Sequence, residues 1–357
     1  MSTQTAEVPA LARLAFEELG LAARGIAGMH KSIAERAFRA SGPGAVPVRL
    51  IHDAVLQGVQ TALDGGARLA GQAAGAALSH GQVGELSETR AGAAALAILN
   101  GLRGDVLAAE HDELAIAMAV RVDAAAVPLT PEALREAFPD ATGRVVVFVH
   151  GLFGTEYEWA LGGRETYGER LRREHGWTPV YIRYNTGRAI DDNGAQLTSL
   201  LEALVDAWPC EVDCVGLIGH SMGGLVIRSA CHQAGERRWK RLLKHSVTLG
   251  TPHTGSPVAQ AVDLATQALG RLPETRAFGN FLDRRSAGIR DLQRGLDCPP
   301  LETARHHYVS AGVDLLVRRG SAVPADAENA LHVPGVGHIA LLNHDDVYAQ
   351  LRDWLVD

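Results

Sequence analysis

The sequence predicts a mostly parallel α/β fold over its larger C-terminal part, preceded by a helix-rich N-terminal region. Three observations lead there. From Arg144 onwards, short β-branched runs recur, most of them ending at glycine, as strands buried on both faces of a parallel sheet do. Stretches with helical apolar spacing separate those runs, and strand–helix alternation implies right-handed parallel crossovers. Before about residue 112 the chain is instead dense in alanine, with apolar residues at helical rather than alternating intervals.

The N-terminal region, residues 1–112, opens with a stripe of Leu11, Leu14, Ala15, Leu19 and Ile26. A second stripe joins Ile51, Val55, Val59, Leu63 and Leu69, and the turn SGPGAVP (Ser41 to Pro47) parts the two. GARLAGQAAGAALSHG, from Gly66, is rich in small residues, which suits close helix packing or contact with a lipid surface. The charged segment Gly81 to Arg90 reads as a loop before a further short helix.

Residues 113–357 form the second region. ELAIAMAVRVDAAAVPL, from Glu113, supplies one or two strands ahead of the helix PEALREAF. VVVFVHG follows Arg144, and then come strands at Pro179–Tyr184, Val212–Gly219, His245–Gly250 and His306–Gly312. GAQLTSLLEALVDAW and DDVYAQLRDWLVD are helices, the second reaching the C-terminus. The helical stretch Ala259 to Thr303 is an insert, read either as a lid over a site or as ordinary connecting helices.

Bulk properties narrow the function classes. Apolar residues make up 46% and charged residues 21%, as in a soluble globular protein. A net charge of -7 without a basic stripe argues against nucleic acid as a partner. The N-terminus lacks the basic start and apolar core of a secretory leader. The longest near-apolar run, Ala91 to Leu102, is too short to span a bilayer and ends at Arg103. With four cysteines this predicts reduced thiols and a cytoplasmic location. Cys210 and Cys214 match neither zinc-ligand nor redox spacing, and Cys214 opens an apolar strand.

The chemistry centres on IGHSMGGLVI, Ile218 to Ile227. With 39 glycines in 357 residues, chance supplies roughly 0.15 G-x-S-x-G matches, so the context has to decide. The context is a strand (VDCVGLI), a tight turn and a helix (GGLVIRSACHQA), which is what a nucleophile elbow requires. The turn lifts the Ser221 hydroxyl clear of the sheet, while Gly219, Gly223 and Gly224 let the helix pass close to the strand. A serine hydroxyl then needs a base, an orienting acid and donors for an oxyanion. His338, in the glycine-flanked GVGHIALL, is the favoured base over His332 and His344. Asp314, in the loop after HHYVSAG, is the favoured acid over Asp326. The backbone N–H groups of Leu152, in HGLFG, and of Met222 are the oxyanion donors, with His150 ordering that loop. Phe153, Tyr184 and Asn185 are the candidate substrate-lining residues, although YNTGRAIDDNG equally fits turn chemistry.

FVHGLFG, GHSMGG, LGTPHTGSPVA (Leu249 to Ala259) and the pair GVDLLV with GVGHIALL together resemble the α/β-hydrolase superfamily. From about Arg144 to the C-terminus the chain looks most like bacterial lipases and carboxylesterases and the related inositol-deacylase-like group. The resemblance implies an eight-stranded α/β-hydrolase sheet, a Ser221–Asp314–His338 triad, an oxyanion hole from Leu152 and Met222, and no cofactor. HGLF stands where some esterases have HGGG. The expected function is therefore ester hydrolysis on an ester or lipid-like small molecule. Acyl transfer by the same residues is the first alternative. A lipid-surface or granule-associated binding protein with an inert hydrolase half is the second, its N-terminal helices making peripheral contact. A metal hydrolase using His306 or His344 lacks ligand spacing.

Overall fold

The structure, a computed structural model, describes residues 87–110, 114–256, 286–298, 304–314 and 316–356. The two N-terminal stripes, the turn between them, the small-residue segment and most of the insert at 259–303 lie outside the described residues.

The chain divides into two compact units, residues 1–96 and 97–357. The sequence had suggested a boundary at 112/113, but the second half of helix α1 (Arg90–Glu110) joins the sheet-containing unit. The reason is a set of polar ties that composition does not reveal. The Asn100 side chain donates to the Leu114 carbonyl at 2.9 Å and accepts from the Ile116 N–H at 2.9 Å. Asn185 Nδ2 donates to the Gly104 carbonyl at 2.9 Å. At 21 residues α1 also exceeds the run seen in the sequence, and leaves helical geometry at Arg103 (φ -137°, ψ 16°), where that run ends. Helix α1 is thus long and apolar enough to span a bilayer, longer than the run read from the sequence, but half of its apolar stretch is buried inside the protein, as in a core helix.

Eight strands form one sheet in the order β2-β1-β4-β3-β5-β6-β7-β8. They are β1 Ala119–Val122, β2 Ala125–Val127, β3 Arg144–Val149, β4 Thr178–Arg183, β5 Cys214–His220, β6 Leu243–Leu249, β7 Arg305–Ala311 and β8 Ala330–Val333. Strand β1 is antiparallel to both β2 and β4, and every pairing from β4 across to β8 is parallel. The strands expected from the sequence are present within a residue or two. The segment ALHVP contributes β8, the short last strand. This mostly parallel sheet with helices on both faces is an α/β-hydrolase fold.

Alternation along β3 shows why. Val145, Val147 and Val149 face one apolar layer, with α4 (Ile190–Ala207) and α5 (Met222–Gln233). Val146 and Phe148 face the other, with α3 (Tyr167–His175) and α9 (Asp345–Val356). Both sides of β3 are thus covered, which its unbroken apolar run demanded. The remaining short helices are α2 (Pro131–Ala137), α6 (Arg238–Leu242), α7 (Ala287–Arg294) and α8 (Arg319–Ala322). A bidentate pair between Arg183 and Glu156 is sealed beneath the sheet's C-terminal ends, with side chains 1% and 9% exposed.

Helix α5 runs against β3 and β5 at backbone distance. A Cβ on Gly223 would overlap the carbonyl of Val149 and stand 2.6 Å from that of His150. Backbone cannot swing away as a side-chain tip does. Gly223→Ala should therefore lower stability by about 1–3 kcal/mol, the usual cost of overpacking. In urea denaturation this would appear as a lower midpoint at an unchanged slope.

Candidate active site

The candidate residues lie where the parallel strands end. Ser221 follows β5, the loop with Leu152 and Phe153 follows β3, Asp314 follows β7 and His338 follows β8. Strands β4 and β5 flank β3 on opposite sides, so the chain reverses its direction of winding there, and side chains from several loops converge at such a point.

Ser221 sits at φ 52°, ψ -120°, immediately before the first residue of α5. For a residue with a Cβ this conformation costs on the order of 1–3 kcal/mol and persists only where the surroundings impose it. Here the Ser221 N–H donates to the Leu249 carbonyl at 2.8 Å, tying the elbow to the end of β6. The expected glycine approaches are present. A Cβ on Gly219 would lie 2.6 Å from the Gly224 nitrogen, and one on Gly224 would overlap the Thr251 side chain.

Asp314 and His338 meet directly, with Oδ2 to Nδ1 at 2.7 Å and side chains 3% and 6% exposed. The other carboxylate oxygen, Oδ1, accepts the N–H groups of Leu316 and Val317, both at 2.8 Å. An acceptor so held fixes the Nδ1–H tautomer of His338 and leaves Nε2 with its lone pair. His338 reaches the elbow by two routes. A Cβ on Gly250, one residue beyond the Ser221 tie on β6, would stand 3.0 Å from His338 Nδ1 and Cε1. His220, next to Ser221, has its ring centroid 4.9 Å from that of His338. Among the described residues no hydrogen bond yet joins Ser221 Oγ to an imidazole. Such bonds are often long in free enzymes and tighten when substrate is bound.

The other histidines and acids stand elsewhere. His332 is exposed and bonds Ser310 Oγ through Nδ1 at 3.0 Å. His344 Nδ1 accepts the Asp346 N–H at 3.3 Å, ahead of α9, as expected of a cap region. Asp326 is exposed. His253, from the TPHTGS segment, takes Arg228 Nη1 on Nδ1 at 2.8 Å and points Nε2 at Thr248 Oγ1 at 3.3 Å. Burial and the Arg228 charge push His253 down to about 3, so it stays a neutral spacer.

The loop after β3 carries Leu152, expected from the sequence as an oxyanion donor. His150 is buried, with Nδ1 donating to the Gly151 carbonyl at 2.9 Å and Nε2 accepting the Tyr184 N–H at 3.3 Å. Burial holds His150 below the usual imidazole range, in keeping with a neutral ring that orders the loop. The Gly151 N–H goes to Glu158 Oε1 at 3.1 Å and that of Phe153 to Thr186 Oγ1 at 3.4 Å. Among the described residues, the N–H of Leu152 between them has no protein acceptor, and neither has that of Met222 at the start of α5. Phe153 is itself at φ 63°, another uncommon conformation for a non-glycine residue.

Two expected substrate-lining residues have other work. Tyr184 is 1% exposed, stacks on His150 at 4.4 Å and donates its hydroxyl to the His150 carbonyl at 2.9 Å. Asn185 is 2% exposed, with Oδ1 accepting the Gly187 N–H at 3.0 Å while Nδ2 holds α1. Both brace the loops rather than offer polar atoms to a ligand, so the turn-chemistry reading of YNTG applies. Phe153 remains half-buried on the loop.

Burial disfavours the charged form of His338, and this outweighs the bond to Asp314, so its pKa lies below the usual 6.5. Asp314→Asn removes a contribution that favours the charged form. Histidine-ring NMR titration should thus show His338 half-protonated below pH 6.5 in the native protein, and at a still lower pH in the variant.

Residues 140–270 match the family model described as the PGAP1-like alpha/beta domain. No curated protein matches the chain significantly. Among solved structures it is similar to a mature Bacillus licheniformis lipase at 18% identity and a TM-score of 0.46, over 59% of this chain and 91% of that one. It is also similar to a Pyrococcus furiosus esterase at 14% identity and a TM-score of 0.40, over 61% and 83%. The sheet order and the family match over residues 140–270 give this part of the chain an α/β-hydrolase fold.

Proposed function

We propose that this protein is a serine ester hydrolase, a carboxylesterase or lipase, that works through an acyl-serine intermediate. The observation that carries the reading is the buried 2.7 Å Asp314–His338 bond beside a serine in an elbow conformation. Ser221 Oγ attacks the ester carbonyl while His338 Nε2 takes its proton. Asp314 steadies the imidazolium so formed. The N–H groups of Leu152 and Met222 receive the negative oxygen, and the partial positive end of α5 favours the same charge. His338 then protonates the departing alcohol, water enters, and the second half repeats the steps to free the acid. The substrate class is an ester or lipid-like small molecule.

A fluorophosphonate probe should label the wild-type protein and leave Ser221→Ala unlabelled. A folded wild type that stays unlabelled would favour the binding-protein alternative. Asp314→Asn should retain the fold and reduce kcat on a p-nitrophenyl ester by about 10³–10⁴-fold, because the imidazole loses its enforced tautomer. Since only neutral His338 accepts the serine proton, kcat/KM should fall as pH drops, with the midpoint below pH 6.5. A midpoint above 6.5, or a flat profile down to about pH 5, would contradict a His338 base.

A further inference from the structure

Behind the proposed triad lies a second carboxylate–imidazole pair. Glu158 belongs to the 3-10 segment Glu156–Gly163 that follows the oxyanion loop. Its Oε1 accepts the Gly151 N–H at 3.1 Å and lies 3.5 Å from His220 Nδ1. The far side of the same ring is also engaged, with His220 Nε2 3.3 Å from the His338 carbonyl oxygen. A carbonyl only accepts, so that nitrogen is the donor. The Nδ1 facing Glu158 is buried and makes no hydrogen bond among the described residues. A bare lone pair there would face an acceptor oxygen across 3.5 Å, which is costly unless a proton lies between them.

We propose that Glu158 is a positioning residue for the Ser221 reaction. It shares one proton with His220, which clamps the His338 backbone. Through the Gly151 N–H it also sets the loop that presents Leu152 to the oxyanion. The inference rests on the hydrolase reading above. Other titratable or charged groups at the cluster are His150, His338 with its Asp314, and the Arg183–Glu156 pair beneath. Burial raises the Glu158 pKa, but the facing His220 imidazole and the Gly151 N–H outweigh it. The carboxyl is therefore held below its usual range.

The role makes a particular demand on substitutions. Glutamine keeps an acceptor for Gly151 and brings its own hydrogen to His220 Nδ1, whereas alanine removes both. On a p-nitrophenyl ester, Glu158→Ala should lower kcat by about ten- to a hundredfold with KM changed by less than about threefold, since the misplaced donor acts in the transition state. Glu158→Gln should stay within about threefold of wild type in both constants. An unchanged kcat in the alanine variant would overturn the proposal, and so would a glutamine variant as slow as alanine. A readout free of turnover, and usable if the alanine variant does not fold, is proton NMR of Ser221→Ala. That protein should show two far-downfield imidazole N–H resonances, one lost on adding Glu158→Gln and the other on adding Asp314→Asn. A single such resonance, insensitive to Glu158, would overturn the shared proton. Failure of the hydrolase reading is distinct, because wild type would then show no Ser221-dependent turnover whatever the NMR result.

Discussion

The close approach of helix α5 to the ends of β3 and β5 is the constraint from which the site follows. With glycine at 219 and 223 the helix starts against the backbone of Val149 and His150, and the residue between strand and helix has nowhere to go but the left-handed region. Ser221 accepts that strain because its N–H is captured by Leu249 and its neighbours are packed. The same approach puts the first N–H of α5 near the loop after β3. The proposed nucleophile and the proposed oxyanion donors thus both follow from the same helix packing.

Around that fixed point the polar groups are wired so that each ring nitrogen has one defensible role. His150 donates through Nδ1 to a carbonyl and accepts an amide on Nε2. His253 accepts from an arginine and faces a hydroxyl. His338 alone combines a carboxylate on Nδ1 with no assigned protein partner on Nε2 among the described residues. These three histidines are thereby sorted by neighbours rather than by type. Burial keeps His150 and His253 neutral, so these two rings add rigidity without adding charge.

Much of this was legible in the chain because it is local. Buried parallel strands write themselves as β-branched runs, and a strand–glycine–serine–glycine–helix sequence has few ways to fold. Asp314 and His338 could be singled out because each sits in a short loop just past a strand end, one following HHYVSAG and one flanked by glycines. What escaped the sequence reading depends on distant partners. Tyr184 and Asn185 looked like pocket residues because they follow a strand end. Their polar atoms are instead taken by His150, Gly187 and a helix some eighty residues earlier. Residues 97–110 looked like part of an alanine-rich region, and distant partners, among them Asn185 and Ser286, tie them to the sheet-containing unit. Glu158 gave no signal at all, since one glutamate in TEYEW has no period or motif to mark it.

Two buried carboxylates near the strand ends show how the same group is put to opposite uses. Glu156 is matched by the Arg183 guanidinium, whose fixed fork spends the carboxylate's charge in holding the loops together. Asp314 is held by neutral donors, two backbone N–H groups on one oxygen and the imidazole N–H on the other. Those bonds orient the carboxylate without cancelling it. In the proposed reaction the charge of Asp314 is therefore still available when His338 becomes a cation, and it acts at close range in a site shielded from solvent. A guanidinium on the same oxygens would anchor the aspartate more firmly and make it useless to the histidine. The burial that disfavours a charged His338 at rest is offset only while a proton is in transit, which is when the base has to be strong.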